Sequence, residues 1–345
     1  MAAPPPRIPA RYFGLLYHAL RTQGVDVDRL LKMARIDPMR LERSEEKLSL
    51  QEINDWVAAA RQLTGRTDLG FEIGRLIKMN SHDVLGYGMI SAGSWHEANV
   101  LAAKHYHLMN ELFALSYRRT ASVGEALYTP LTSMPLETLH FAYEALALAH
   151  QNQVQLMLGG QVPAYDIYLP MPEPVHLARY WSLKPVRFHF DEDALPGVRV
   201  VMGSELLDRP LPMGDPRVFK EIDERCSAIA PRSTLPESNW GAYIEMMLRE
   251  SEGTLLTLDA LAQRLKVSVR TIDRQLKKEG LNFRDLSNRI RFERACDMLR
   301  RPEVTISHVS YLLGFSNVAN FGRAFKREFG ISPTEYQQHP IPPSD

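Results

Sequence analysis

Between Thr257 and Phe329 the sequence writes one helical pattern twice, and this repeat restricts the fold more than any other feature. In the first copy Leu258, Leu261, Ala262 and Leu265 recur at three- and four-residue spacing, one face of a short helix. Thr257 is placed to cap it. Lys266-Val267 turns the chain, Ser268 caps a second helix over Val269–Lys278, and Gly280 follows its end. Ile272 and Leu276 lie on the inner side of that second helix. In the second copy Thr305 caps Ile306–Leu313, with Ile306, Val309 and Leu313 inward. Gly314-Phe315 makes the turn, and Asn317 starts Val318–Phe329 with Phe321, Phe325 and Phe329 inward. Short helix, tight turn and capped second helix is the helix-turn-helix layout. Between the copies, Phe283–Leu299 predicts one helix with Leu286, Ile290, Ala295 and Leu299 as its apolar stripe. At about 1.5 Å per residue it is roughly 25 Å long. That length suits two reading heads set about one DNA turn, ~34 Å, apart.

The charge balance first argues the other way. The chain has 41 basic and 41 acidic residues and no net charge, whereas proteins that bind polyanions usually carry a basic excess. The sum hides a split. Thr254–Tyr336 holds 15 Lys and Arg against 9 Asp and Glu, an excess of six; the remainder keeps 26 against 32, a deficit of six. The basic module is the one that carries the two repeats.

Opposite the inner faces stand residues suited to DNA. Arg270, Asp273, Arg274, Asn317, Asn320 and Arg323 are the candidates for base contacts. Arginine grips guanine O6 and N7 together, and asparagine pairs similarly with adenine. Ser268, Thr271, Lys277, Lys278, Ser316, Lys326 and Arg327 are the candidates for phosphate contacts.

The rest of the chain reads differently. Residues 1–10 and 339–345 are Pro-rich and expected to be disordered. Residues 11–230 predict an α+β domain. Its helices are expected over Val25–Ile36, Leu50–Leu63, from Asp68 onward, Trp95–Met109, Leu136–Leu158 and Asp215–Ile229. Its strands are expected over Leu112–Arg119, Glu125–Pro130, Asp166–Leu169, Val186–Phe190 and Val198–Met202. Residues 231–238 form the linker, and residues 239–338 the all-α module. Hydrophobic residues are 45 % and charged residues 24 %, the range of an ordinary globular protein. No run approaches the ~20 apolar residues of a membrane span, and the first residues carry no signal-peptide core. Two cysteines, Cys226 and Cys296, rule out a disulfide framework and a Cys-based zinc site. No phosphate-binding Gly-rich loop, Gly-x-Ser-x-Gly or His-Glu-x-x-His occurs. His105, His107 and Glu111 are a conceivable ligand set without defined metal spacing. Aromatic residues crowd the first domain. Tyr87, Trp95, Tyr106 and Phe113, with His107 and His140 as polar members, are the candidates for an effector pocket.

The C-terminal region resembles the DNA-binding domain of AraC/XylS-type transcription regulators over about 80 residues. The resemblance rests on Ile306 to Ser316, on Phe321-Gly322-Arg323-Ala324-Phe325-Lys326-Arg327, and on Phe329-Gly330-Ile331-Ser332-Pro333 with Tyr336. Arg291-Phe292-Glu293-Arg294-Ala295 matches as well. Two positions depart from the pattern: Lys266 stands where a glycine is usual, and Ala319 where serine is frequent. The N-terminal region is similar to the ligand-binding and dimerisation domain of the branch that includes regulators of ornithine use and of virulence. The residues are Leu63-Thr64-Gly65, Asp68-Leu69-Gly70-Phe71, Leu85-Gly86-Tyr87-Gly88, Trp95–Ala98, Glu173-Pro174-Val175-His176, Pro185–Phe188 and Asp208–Pro212. The resemblance implies a cytoplasmic, sequence-specific regulator bound to double-stranded DNA. It also implies a small-molecule effector, contact with RNA polymerase and self-association as a homodimer, with no membrane partner, cofactor, metal or enzymatic activity. Two alternatives stay open: a ligand-independent regulator controlled by a protein partner, and an enzyme tethered to DNA by its C-terminal module.

Overall fold

The computed structural model describes residues 6–229 except 44, 133, 160–161 and 192–195, and then 241, 244–245, 247–248, 256–264, 268–301 and 304–338. The linker at 231–238, the Lys266-Val267 turn and the tail at 339–345 lie outside the described residues. The chain divides into two compact units, Met1–Leu235 and Pro236–Asp345.

The first unit begins with order where disorder is expected. Strand β1 (Arg7–Pro9) pairs antiparallel with β2 (Lys47–Ser49). The reason is local: Ile8 sits opposite the buried Leu48, and the Ala10 N–H donates to the Glu46 carbonyl at 2.8 Å. Helix α1 (Arg11–Thr22) follows and buries Tyr12, Phe13, Leu16, Tyr17 and Leu20. Helix α2 (Val27–Ala34) is shorter than the expected 25–36. Asp26 caps it by accepting from the Arg29 N–H at 3.0 Å, and Arg35 closes it in the left-handed conformation at φ 56°. After the short α3 (Pro38–Glu42), α4 (Leu50–Thr64) starts on a capping box in which Ser49 and Glu52 satisfy each other's backbone N–H. The expected cap of α5 (Leu69–Leu76) is not made. The Asp68 carboxylate instead accepts from Arg66 at 2.7 Å and pairs with Arg179.

Helix α6 (Asp83–Ile90) leads to α7 (Trp95–His105), which Ser94 caps. The helix ends four residues before the expected Met109, passing into a 3₁₀ turn at Tyr106–Leu108. Asn110 diverts the chain there, its side-chain oxygen accepting from the N–H groups of Leu112 and Phe113. Among the described residues, β3 (Phe113–Arg119), β4 (Val123–Pro130), β5 (Tyr165–Leu169), β6 (Val186–Phe190) and β7 (Val198–Gly203) form one sheet in the order β3-β4-β7-β5-β6. Its pairs are antiparallel except β5 with β6. Alternate residues, among them Ala126, Tyr128, Ile167, Val198 and Val200, face the core.

The long helix α8 (Leu136–Leu158) packs against β5, β7 and α5. Gly70 permits the α5 crossing, because a Cβ there would stand 2.4 Å from the Phe141 carbonyl oxygen. After the short α9 (Ser204–Leu207), α10 (Pro216–Ile229) packs on α6. A Cβ on Gly88 would meet Ile222 at 2.7 Å. Behind α8, the buried Glu144 accepts from His176 Nε2 at 2.6 Å and from the Tyr180 hydroxyl at 2.7 Å, tying down the segment before β6.

The second unit is helical throughout its described residues. It contains α11 (Leu258–Arg264), α12 (Val269–Lys278), α13 (Phe283–Leu299), α14 (Ile306–Leu312), α15 (Val318–Phe329) and α16 (Pro333–Gln338). Helices α12, α13 and α15 have the bounds that the periodicity predicts, and α14 stops one residue early. The caps form as expected: Thr257 accepts from the Ala260 N–H at 3.1 Å, Thr305 from His308 at 3.2 Å and Asn317 from Asn320 at 2.8 Å. Phe325 is fully buried at the centre of an aromatic cluster, with Phe329 at 4.6 Å, Tyr336 at 5.5 Å, Phe321 at 5.6 Å and Phe292 at 6.3 Å between ring centroids. This cluster joins α13, α15 and α16. Arg291 stacks its guanidinium on the Phe315 ring at 5.3 Å, and partial burial lowers its proton affinity.

Candidate nucleic-acid interface and effector cavity

Each of the second helices in the repeats has one buried and one open face. On α12, Ile272 and Leu276 are fully buried, whereas Arg270, Arg274 and Lys277 are exposed and Asp273 is half-buried. Ser268 is exposed just before the helix. The side chains of Thr271 and Lys278 lie outside those described.

On α15, Phe321 and Phe325 are buried, and Arg323, Lys326 and Arg327 are exposed on the other side. Three of the candidate side chains are chained together. The Asn320 amide nitrogen donates to Ser316 Oγ at 2.7 Å, and Arg323 donates to the Asn320 amide oxygen at 2.5 Å. The Asn317 side-chain oxygen is already spent on the Asn320 backbone N–H. Its amide nitrogen and the oxygen's second lone pair are left to face a partner. Sequence reasoning passed over Val318, which is 42 % exposed in the first turn of α15. Its three- and seven-residue spacing from Phe321 and Phe325 places it on the apolar stripe, so periodicity offers no signal for its exposure at the open first turn; an exposed aliphatic group there suits a thymine methyl.

The first unit encloses a cavity of about 110 Å³. It is walled by α1, α7, α8, β3 and β4. Of the six pocket candidates, Trp95, Tyr106 and Phe113 line it. Tyr87, His107 and His140 do not. Tyr87 is 57 % exposed on the outer side of α6. His107 lies in the 3₁₀ turn beside Tyr106 but outside the cavity wall. The wall of α8 is a broad face made by Thr138, Phe141, Ala142, Ala145, Leu146, Ala149, His150 and Gln153, and His140 lies on the opposite side of the helix.

Polar groups that the first reading did not assign to the pocket take their place. Tyr12 Oη lies 2.7 Å from His82 Nδ1, and the Gln153 amide nitrogen lies 2.7 Å from His82 Nε2. Tyr128 Oη lies 3.0 Å from His150 Nδ1. His82, on the turn before α6, keeps partial solvent contact as a residue, but both its ring nitrogens are engaged. Desolvation brings His82 down to about 3 and His150 to about 4, so both imidazoles are neutral near pH 7. Burial pushes the Tyr12 and Tyr128 hydroxyls upward, so they too keep their protons. The conceivable metal set is dispersed: His105 pairs with Asp223 at 2.6 Å, and Glu111 with Lys47 at 2.6 Å.

Comparison with known proteins adds independent findings. Residues 24–211 match the family described as the arabinose-binding domain of AraC transcription regulator, N-terminal. Residues 261–339 match a helix-turn-helix domain family, and residues 242–278 a second one. The chain is similar to the ornithine utilization regulator of Pseudomonas aeruginosa, with 25 % identity over 334 residues covering 96 % of this chain and 97 % of that one. It is similar to the HTH-type transcriptional activator RhaS of Escherichia fergusonii, with 38 % identity over 81 residues covering 23 % of this chain and 29 % of that one. Among solved structures it aligns with the transcriptional regulator CdpR of Pseudomonas aeruginosa. That match has 22 % identity, covers 95 % of this chain and 98 % of that one, and has a TM-score of 0.45.

Proposed function

Because the chain belongs to the AraC family of transcription regulators, with a ligand-binding domain before its helix-turn-helix DNA-binding domain, we propose that α12 and α15 enter two successive major-groove segments on one face of its operator. The observation that carries this reading is the pair of second helices, each with an apolar inner side (Ile272 and Leu276; Phe321 and Phe325) and exposed basic residues on the other. Arg270, Arg274, Asn320 and Arg323 read base edges, with Asp273 and Asn317 beside them. Ser268, Thr271, Lys277, Lys278, Ser316, Lys326 and Arg327 meet phosphates. Specificity comes mostly from the two reading helices, because an excess of six positive charges over the basic module is a modest bulk attraction.

The first domain senses a small molecule, self-associates as a homodimer, or does both, and the effector shifts the population of DNA-competent arrangements. RNA polymerase is the downstream partner, the cytoplasm the location, and no enzymatic step is part of the cycle. No described helix is long and apolar enough to cross a membrane, and the relatives named above are transcription regulators. The ornithine named by the Pseudomonas relative is not carried over, because no charged side chain is among the described residues that line the cavity.

Footprinting of the full chain on DNA from its own upstream region tests the docking. Two protected segments about one turn apart are expected. Arg274→Ala should weaken protection in one segment and Arg323→Ala in the other. Unchanged protection in both variants refutes the docking.

A further inference from the structure

The wall of the cavity has two properties that together select a ligand class. First, no Asp, Glu, Lys or Arg is among its described lining residues, and its two histidines are held neutral by burial. A ligand with a formal charge would leave water and meet no countercharge. Second, the wall keeps hydrogen-bonding capacity that the protein does not use.

His150 is 3 % exposed, and its Nε2 is buried without a hydrogen-bond partner. If the Tyr128 hydroxyl donates to His150 Nδ1, the ring proton sits on Nε2 and is unspent. If instead Nδ1–H donates to Tyr128, the Tyr128 hydroxyl proton is unspent. Either tautomer leaves one buried donor free. The other polar group behaves alike. The Gln153 amide nitrogen donates to His82 Nε2, so His82 carries its proton on Nδ1 and donates to the Tyr12 oxygen. The Tyr12 hydroxyl proton is then left over. A native interior rarely leaves such donors unmet, and a bound acceptor explains them.

We propose that this cavity is the effector site and that it takes a small, uncharged, mainly apolar compound bearing a carbonyl, ether or hydroxyl oxygen. The oxygen accepts from the Tyr128–His150 pair or from Tyr12, and the apolar body lies against Trp95, Phe113 and Phe141. The volume of about 110 Å³ limits the body to roughly the size of benzene, since a dry cavity of about 150 Å³ binds that molecule. The inference rests on the reading of the first domain as an effector sensor and narrows it to a chemical class.

The test is thermal unfolding and calorimetric titration of the full chain with neutral probes: phenol, benzyl alcohol, cyclohexanone and butanone. Benzoate and benzylamine serve as charged counterparts of similar size. At least one neutral probe should raise the melting temperature, and neither charged counterpart should. His150→Phe should weaken at least tenfold any probe that accepts from the Tyr128–His150 pair. Tyr12→Phe, which deletes only a hydroxyl, provides a second variant if His150→Phe does not fold, and should weaken any probe that uses Tyr12. The proposal is overturned if the charged counterparts bind as tightly as the neutral ones. It is overturned equally if no neutral probe shifts the melting temperature, or if a probe binds both variants as it binds the parent. Footprinting of the same preparation keeps the DNA reading separate: two protected segments in a preparation that no neutral probe stabilises would overturn the ligand class and leave the operator docking intact.

Discussion

Arg323 does not stand alone on the open face of α15, and this sets how its loss should appear. Its guanidinium donates to the Asn320 amide oxygen at 2.5 Å, and the Asn320 nitrogen donates to Ser316 at 2.7 Å. The chain holds the arginine in place before DNA arrives, so less side-chain freedom remains to be lost on binding. A bidentate arginine–guanine contact contributes about 1–3 kcal/mol of discrimination, or about 5- to 150-fold in affinity. Arg323→Ala should therefore cost that amount against the preferred base pair and little against an operator already substituted at that position. On the proposed docking, Asn320→Ala removes an adenine contact, and it also releases the arginine. The two losses then overlap, and the double variant should cost about 0.5–3 kcal/mol less than the sum of the singles. Titrations of the parent, both single variants and the double variant against operators substituted one base pair at a time, at one salt concentration, give the complete cycle. Strict additivity within about 0.3 kcal/mol would refute the coupled chain. An equal loss on every operator would refute base reading by Arg323 and leave it a phosphate contact.

Three further outcomes follow from other parts of the structure. Lys326→Ala and Arg327→Ala should weaken binding on all sequences, and each should flatten the plot of log affinity against log salt by about 0.9 if one phosphate contact is lost; an unchanged slope excludes the contact. Phe325→Ala empties the centre of the aromatic cluster and should destabilise the C-terminal unit by about 3–5 kcal/mol in chemical unfolding, and a loss below about 1 kcal/mol would show that the cluster is not the core of that unit. For pH, His150 is depressed to about 4 in the folded chain from an ordinary value near 6.5. Its folded value lies below its unfolded one, so stability is intact above about pH 6.5 and declines as pH falls toward 4. Between pH 7 and pH 5 this one residue should cost about 1–2 kcal/mol; His150→Phe should remove that share of the slope in urea titrations and leave the share of His82, which burial depresses as well.

How much of this was written in the sequence depends on the range of the interactions. The repeat was legible because each element carries its own signals. Thr305 caps α14 and Asn317 caps α15 through bonds to residues three positions on, and the Phe321–Phe325–Phe329 stripe states which face goes inward. The strands from Phe113 onward were legible for the same reason. Expectations failed where distant partners compete. Asp68 was read as a helix cap, yet Arg66 and the remote Arg179 take its carboxylate. Arg7–Pro9 was read as disordered, and pairing with residues some forty positions later orders it.

The pocket shows the limit most clearly. Trp95, Tyr106 and Phe113 were found because aromatic residues are apt to be buried anywhere. Tyr87 belongs to the same class, and only the packing of α6 turns it outward. Tyr12, His82, Tyr128 and Gln153 come from four separate parts of the chain, and no spacing rule joins them. The sequence by itself determined two short-helix, turn, second-helix units with their inner and outer faces, and the basic module beneath a neutral total. Those properties repeat within about a dozen residues, and local geometry settles them. The tertiary structure alone decided which polar groups share one cavity and which of their protons are left without an acceptor. Burial and pairing are properties of residues brought together from far apart, and they do not exist until the chain has folded.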